Sequence, residues 1–266
     1  MTKRRINLWA WLWIALGVLY FLLPLIGTLN FSLRAKRGVL SLTAYENVFK
    51  DPKFFETFSF SLEMAVLTIV VSLLLIVPTA YWVQLRLPRL RPVIEFITLM
   101  PFVVPAIVLV FGLIKIYSRP PLTLTNSAAS TNVLLVAGYV VLSLPYMYRA
   151  VDTGLRAIDV RTLTEAAQSL GASWTTILFR VIFPNIRVAL LSGAFLTFAI
   201  VIGELTLAQY LSRPAFGPYL ALMGQDRAYE PAALAIISFA LTWAFIGVIQ
   251  YLGRRSPGVA QLAGTK

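Results

Sequence analysis

Apolar residues run along this chain in long uninterrupted stretches, without the short alternation of a half-buried strand. Six stretches are long enough to cross a bilayer, whose hydrocarbon core takes ~20 residues of helix. They cover residues 8–31, 60–84, 93–117, 131–149, 188–211 and 231–252. The pattern predicts an all-α, polytopic membrane protein with six transmembrane helices. The first stretch follows Lys3, Arg4 and Arg5 and stays uncharged from Ile6 to Leu33. That is too long for a signal-peptide core, and no clear small-residue cleavage site follows, so an uncleaved first span is expected. The domain division that results is 1–59 for the first helix and its external loop, 60–252 for a five-helix core, and 253–266 for a disordered cytoplasmic tail.

Several spans carry helix breakers: Pro78 in the second, Pro101 and Pro105 in the third, Pro145 in the fourth. Each removes a backbone donor, which lipid tolerates only where protein or a wet cavity takes up the freed groups. Two prolines four residues apart predict a bend lining a cavity at Pro101 to Pro105.

Composition narrows the chemistry. Hydrophobic residues make up 59% and charged residues 13%, against ~25% charged in a soluble domain, and the mean hydropathy is +0.80. Cysteine and histidine are both absent, which excludes thiolate metal sites, imidazole bases and Ser-His-Asp triads. The net charge of +12 comes without a basic face interleaved with aromatics, so nucleic acid is not the expected partner. Lys and Arg instead orient a membrane chain, because they stay on the cytoplasmic side. With the N-terminus inside, the inner segments hold fourteen of them and the outer segments eight, which favours both termini in the cytoplasm. The cluster Arg34, Lys36 and Arg37, just after the first span, runs against that count.

The connection from Arg149 to Arg187 is 39 residues long, where bundle connections take about 2–8. Its apolar positions Val160, Leu163, Ala166, Ala167 and Leu170 fall on one helical face, and Arg161, Glu165, Gln168 and Ser169 on the other. Asp159 is a candidate N-cap, and Gly171 stands where a helix end favours a left-handed residue. After a second candidate cap, Ser173, another stripe runs through Trp174, Ile177, Leu178, Val181 and Ile182 until Pro184. The segment reads as two short helices joined by a glycine turn. Periodicity alone fits an amphipathic hairpin on the membrane surface as well as a docking element. An exposed Glu165 among small alanines favours docking, because alanines allow close approach while the acid supplies a directional charge.

The run Glu165-Ala166-Ala167, three residues, Gly171, nine residues, then Val181-Ile182-Phe183-Pro184 resembles the EAA signature of inner-membrane permease subunits of binding-protein-dependent (type I) ABC importers. The family pattern usually ends Ile, any residue, Leu, Pro, and this chain substitutes Val181 and Phe183 while keeping Pro184 in register. The Pro101 to Pro105 bend is similar to a feature of the polyamine, iron and phosphonate branches. The resemblance implies a type I permease fold in which segment 150–187 is the coupling hairpin, seated in a groove of a cytoplasmic ATPase. Glu165, with Ala166 and Ala167, would anchor that joint, Gly171 would permit the turn and Pro184 would fix where the next span starts. It also implies a second homologous permease or a homodimer, two ATPase subunits, an extracytoplasmic binding protein and an inner-membrane location. The chain contains no GxxxxGK[ST] phosphate loop, so ATP belongs to the partner ATPase and no cofactor is expected on this chain. Polyamines such as spermidine or putrescine are the favoured substrates, with iron(III) or phosphonates as alternatives.

Ionisable residues inside spans are functional candidates by default. Glu204 lies deepest, in Gly203-Glu204-Leu205-Thr206, and with Thr206 and Glu63 makes the candidate substrate path. Fixing the shape of the bundle is the competing role for Glu204. For Glu63 and Lys115, snorkelling or a mutual ion pair competes with substrate contact, and Glu95 fits a structural acid at a helix N-terminus. A secondary transporter would more often show paired acids and histidines within its spans, and an intramembrane enzyme a catalytic constellation. Neither is visible. The topology has a direct test in this cysteine-free chain: Ser169→Cys is expected to resist an impermeant thiol reagent added outside intact cells, and labelling there would overturn the orientation.

Overall fold

The computed structural model describes residues 8–254; the basic N-terminus and the tail beyond Arg254 lie outside the described residues. Helices are α1 (Leu8–Ser32), α2 (Thr43–Lys50), α3 (Pro52–Leu85), α4 (Arg91–Val103), α5 (Ala106–Tyr117), α6 (Ala128–Arg156) and α7 (Val160–Ser169). They continue as α8 (Trp174–Thr176), a π-helical stretch Ile177–Ile182, α9 (Phe183–Asn185), α10 (Arg187–Gly203), α11 (Thr206–Tyr210), α12 (Phe216–Asp226) and α13 (Glu230–Arg254). No strand occurs among the described residues, so the architecture is all-α, as the long apolar stretches predict.

Three helices are long and apolar enough to cross a membrane singly: Trp11–Ser32, Pro52–Leu85 and Ala128–Arg156. Two bent pairs pass the same test together, Pro88–Val103 with Ala106–Tyr117 at 102° and Trp174–Asn185 with Arg187–Gly203 at 80°, which raises the number to five. Glu230–Ala244 is a shorter apolar helix. The stretch 93–117, expected as one span, is therefore two helices at nearly a right angle. The stretch 188–211 likewise stops being one helix at Gly203.

Not every proline breaks its helix. Pro78 and Pro145 sit inside unbroken α3 and α6, and Pro101 sits inside α4. The break falls at Val104 and Pro105, where Val104 is extended at φ −90° and ψ 113°. A residue before proline is pushed out of the helical region, which is why the break precedes Pro105.

The chain divides into two compact units, one within Met1–Phe55 and Leu220–Thr242 and the other within Glu56–Tyr219 and Trp243–Lys266. In the first, the Ser32 and Tyr45 hydroxyls are 2.7 Å apart, joining α1 to α2. Asn47 donates to Glu230 at 2.9 Å, and Phe31 packs on Tyr229 at 5.0 Å between ring centroids. In the second unit α6 is central, packed on α10 and α4. Its start is fixed by a capping box between Ser127 and Ser130, which satisfies amide donors that the first helical turn leaves open. A buried contact between the Ser72 and Ser143 hydroxyls, 3.1 Å, ties it to α3.

Small residues set how closely α6 and α10 approach. A Cβ added at Gly154 would stand 2.5 Å from Ala189 Cβ and 3.3 Å from Ile186 Cβ, and one at Gly193 would stand 2.6 Å from Met147 Sδ. Ala189 Cβ cannot rotate away, so the helices themselves must separate, and packing is what holds helices together in lipid. Gly154→Val is expected to cost about 1–3 kcal/mol, read as a lowered thermal midpoint of the purified protein in detergent. An unchanged midpoint would mean that the contact carries no stability.

Candidate functional site

The segment 157–186 folds back on the second unit as two helices around a turn. Asp159 caps α7 by accepting from the Thr162 amide at 3.1 Å and from its hydroxyl at 2.7 Å. These contacts hold the Asp159 carboxyl below the usual carboxylate range, the amide contributing first. The cap is therefore ionised at neutral pH and is lost only as acidification passes that lowered value. At the other end Gly171 adopts φ +77°. Its amide donates to Gln168 O at 2.9 Å, and that of Ala172 to Ala167 O at 3.1 Å, the pair of hydrogen bonds that closes a helix at a left-handed residue. Ser173 then caps α8 through the Thr176 amide.

The buried face of α7 is centred on Val160, Thr164 and Ala167. This corrects the face expected from apolar letters alone, since Ala166 is exposed and Leu170 is 88% exposed. Thr164 occupies the middle because its hydroxyl is satisfied, donating to Val160 O at 2.6 Å and lying 2.8 Å from the Tyr81 hydroxyl of α3. Leu170 leaves the stripe because it is the C-cap, at ψ 7°, where the helix unwinds into the turn. From the second helix Ile177 and Ile182 are fully buried, while Trp174 packs on Trp82 at 4.8 Å. The outward surface thus presents Arg161, Glu165, Ala166, Ser169 and Leu170. Arg161 and Glu165 pair at 2.8 Å with side chains 82% and 62% exposed, and this hydrogen bond raises the Arg161 pKa above its ordinary value. Pro184 lies in the last turn before the 80° bend, which is made at Ile186.

Sequence reasoning missed a four-residue ion network. Arg91 bonds Glu95 at 2.9 Å and Asp152 at 2.8 Å, and Arg156 bonds Asp152 at 3.0 Å and Glu95 at 3.4 Å. Glu95 was expected only as a helix N-terminal acid. The i, i+4 pairs Arg91/Glu95 and Asp152/Arg156 were the available signal, but nothing in the chain alone brings the two pairs together. A cavity of about 440 Å³ lies beside them, lined also by Thr98, Tyr148, Arg149 and Thr153.

Of the candidate path residues, Glu204 and Thr206 meet at the start of α11. Glu204 sits between α10 and α11 in an extended conformation, φ −76° and ψ 126°. Its carboxylate accepts from the amides of Thr206 at 2.7 Å, Leu207 at 2.9 and 3.0 Å, and Ala208 at 3.4 Å. The buried Tyr139 hydroxyl faces it without a well-formed hydrogen bond. The acid thus caps the start of α11. Gly217 permits the chain to pass close to the Glu204 carbonyl, where any Cβ would collide. Thr206 is half-buried as the first residue of α11, and Glu63 stands exposed on α3. Glu63 and Lys115 do not pair among the described ion pairs.

Residues 76–256 match the family model described as the binding-protein-dependent transport system inner membrane component. The chain belongs to this family, the inner-membrane permeases of type I ABC importers. It is similar to the spermidine/putrescine transport system permease protein PotB of Haemophilus influenzae, 25% identical over 188 residues that make 65% of this chain and 63% of that protein. It is also similar to a probable molybdenum ABC transporter permease of Haloferax volcanii, 31% identical over 190 residues, 68% of this chain and 70% of the relative. The chain thus spans a little under two thirds of the Haemophilus relative. The fold is shared with a crystal structure of a bacterial ABC transporter involved in import of the polysaccharide alginate, with TM-score 0.72, 14% identity, and coverage of 95% and 96% of the two chains.

The geometry of Glu204 in this permease has a measurable consequence. Glu204→Ala removes the acceptor and is expected to cost ~1–2 kcal/mol, the range for losing a helix cap, whereas Glu204→Gln keeps one acceptor oxygen and should lose less. Thermal unfolding of both variants in detergent checks this. Equal stability of Glu204→Ala and the parent would leave the cap without energetic weight.

Proposed function

We propose that this permease forms half of the translocation path of an ATP-driven importer for a small solute, and that a separate ATPase docks on the outward surface of α7 and its glycine turn. The observation that carries the reading is Leu170, 88% exposed beside the Arg161–Glu165 pair on a helix whose other face is tightly held. An apolar side chain flanked by charges, on a rigid support, suits a protein groove. ATP is bound by that partner, and this chain contributes no catalytic residue and no cofactor site. A second permease, homologous or identical, completes the path, and an extracytoplasmic binding protein delivers the solute. In this reading the hairpin and both termini face the cytoplasm.

α7 follows α6 within four residues, and α6 carries Asp152 and Arg156 of the ion network that grips α4. A displacement of the hairpin by the ATPase would reach α4 by that route. For the substrate, a polyamine is the first reading, supported by the Haemophilus relative. Glu204 adds nothing to that reading, because its carboxylate accepts from three backbone amides. An anionic solute is the second reading, favoured by Arg149, exposed on α6 beside the cavity and free of any ion pair among the described residues.

Docking is tested by Glu165→Ala, Gly171→Asp and Leu170→Asp. Loss of a charge-assisted contact is worth about 1.5–3 kcal/mol, so Glu165→Ala should lower transport and weaken retention of the ATPase by roughly tenfold or more. Leu170 touches little within the permease, so Leu170→Asp should do the same with folding unchanged. Normal transport and normal ATPase retention in all three variants would remove the hairpin as the coupling element.

A further inference from the structure

The basic residues that run against the charge count, Arg34, Lys36 and Arg37, come together in the first unit around a cavity of about 390 Å³. Val39, Leu40 and Tyr229 complete its walls. The turn that carries them is built to hold its shape. Gly38 takes φ +78°, Lys36 and Val39 form a one-pair antiparallel bridge, and the Ser41 amide donates to Leu33 O at 2.8 Å. Arg34 donates its Nε to Asn30 Oδ1 at 2.7 Å, which leaves its terminal nitrogens for another partner. None of the three cations has an acidic partner among the described residues. Glu46 is paired with Lys50 and Glu230 accepts from Asn47.

Depth and exposure indicate the partner. The turn follows directly on the 22-residue apolar helix Trp11–Ser32, which is about 33 Å long at 1.5 Å per residue. Such a helix spans the hydrocarbon core and leaves the next residues level with the lipid headgroups. Beside the cations, Val39, Leu40 and Leu42 are 66%, 67% and 61% exposed. Solvent would penalise three such side chains within four residues, whereas the acyl boundary would take them. Three unpaired cations at headgroup level, next to an apolar tip, match one ligand chemistry: a phosphate bearing acyl chains.

We propose that the turn Arg34–Leu40 is a binding site for the phosphate headgroup of an anionic phospholipid, with Val39 and Leu40 set into the acyl region. The site rests only on the membrane location of the chain. It is independent of the solute transported, and it holds for either orientation because both leaflets present headgroups.

The test uses the full-length permease in nanodiscs of phosphatidylcholine with or without phosphatidylglycerol, with retained lipid counted by native mass spectrometry. The parent should retain phosphatidylglycerol selectively. The triple variant Arg34→Gln/Lys36→Gln/Arg37→Gln should lose that selectivity, by roughly fivefold for each charge removed, and Arg34→Lys/Lys36→Arg/Arg37→Lys should keep it. If the triple variant fails to fold, Lys36→Gln, at an exposed position, should still show the single fivefold loss. Undiminished phosphatidylglycerol retention in these neutralised variants overturns the proposal. Displacement of the lipid by millimolar inorganic phosphate would overturn it in favour of a free-anion site. Unchanged lipid retention with lost docking of the binding protein would overturn it in favour of an acidic protein surface.

Discussion

The hydrogen bond between Tyr81 and Thr164 is buried, 2.8 Å long, and joins the end of a bundle helix to the middle of α7. Without it the hairpin would rest on the bundle by apolar contact alone, which is non-directional and allows sliding. With it, α7 has one register, because a buried hydroxyl left unmatched costs about 1–3 kcal/mol. The Trp82–Trp174 contact fixes the second helix against the same end of α3. Everything on the outward face, from Arg161 to Leu170, owes its position to this inner pairing.

A second constraint comes from the surrounding medium. Lipid offers no hydrogen bonds, so every interruption of a helix must be satisfied from within the protein. Glu204 does this for α11 with both carboxylate oxygens, accepting from three successive amides. An acid in an apolar span therefore need not face the solute. At Pro105 the solution is different, since proline has no amide proton to satisfy and the chain turns through 102° at that point.

Much of the fold was legible because membrane helices advertise themselves by length and apolarity. The order of helix, turn and helix in 159–186 was also legible, since Asp159, Gly171 and Ser173 are residues whose chemistry suits the ends of helices and little else. Thr164 was not. A polar letter at the centre of a buried face looks like a surface position until its partner, Tyr81, 83 residues away, is known. The Arg91–Glu95–Asp152–Arg156 network was hidden for the same reason, as its cross-links join residues 61 apart. Glu204 was found but its surroundings were not, because the helix break that exposes three amides to it follows from no proline or glycine immediately after it in the chain.

The close approach of Gly154 to Ala189 has a mechanical meaning. Gly154 is in the last turn of α6 and Ala189 is in the first turn of α10, so the excursion between them leaves the bundle and returns to it through almost the same point. A loop anchored at two distant points would absorb a push by stretching. One pinched at its base has a single fulcrum, and a force applied at its tip, near Leu170, arrives at α6 and α10 together as a torque on the pair.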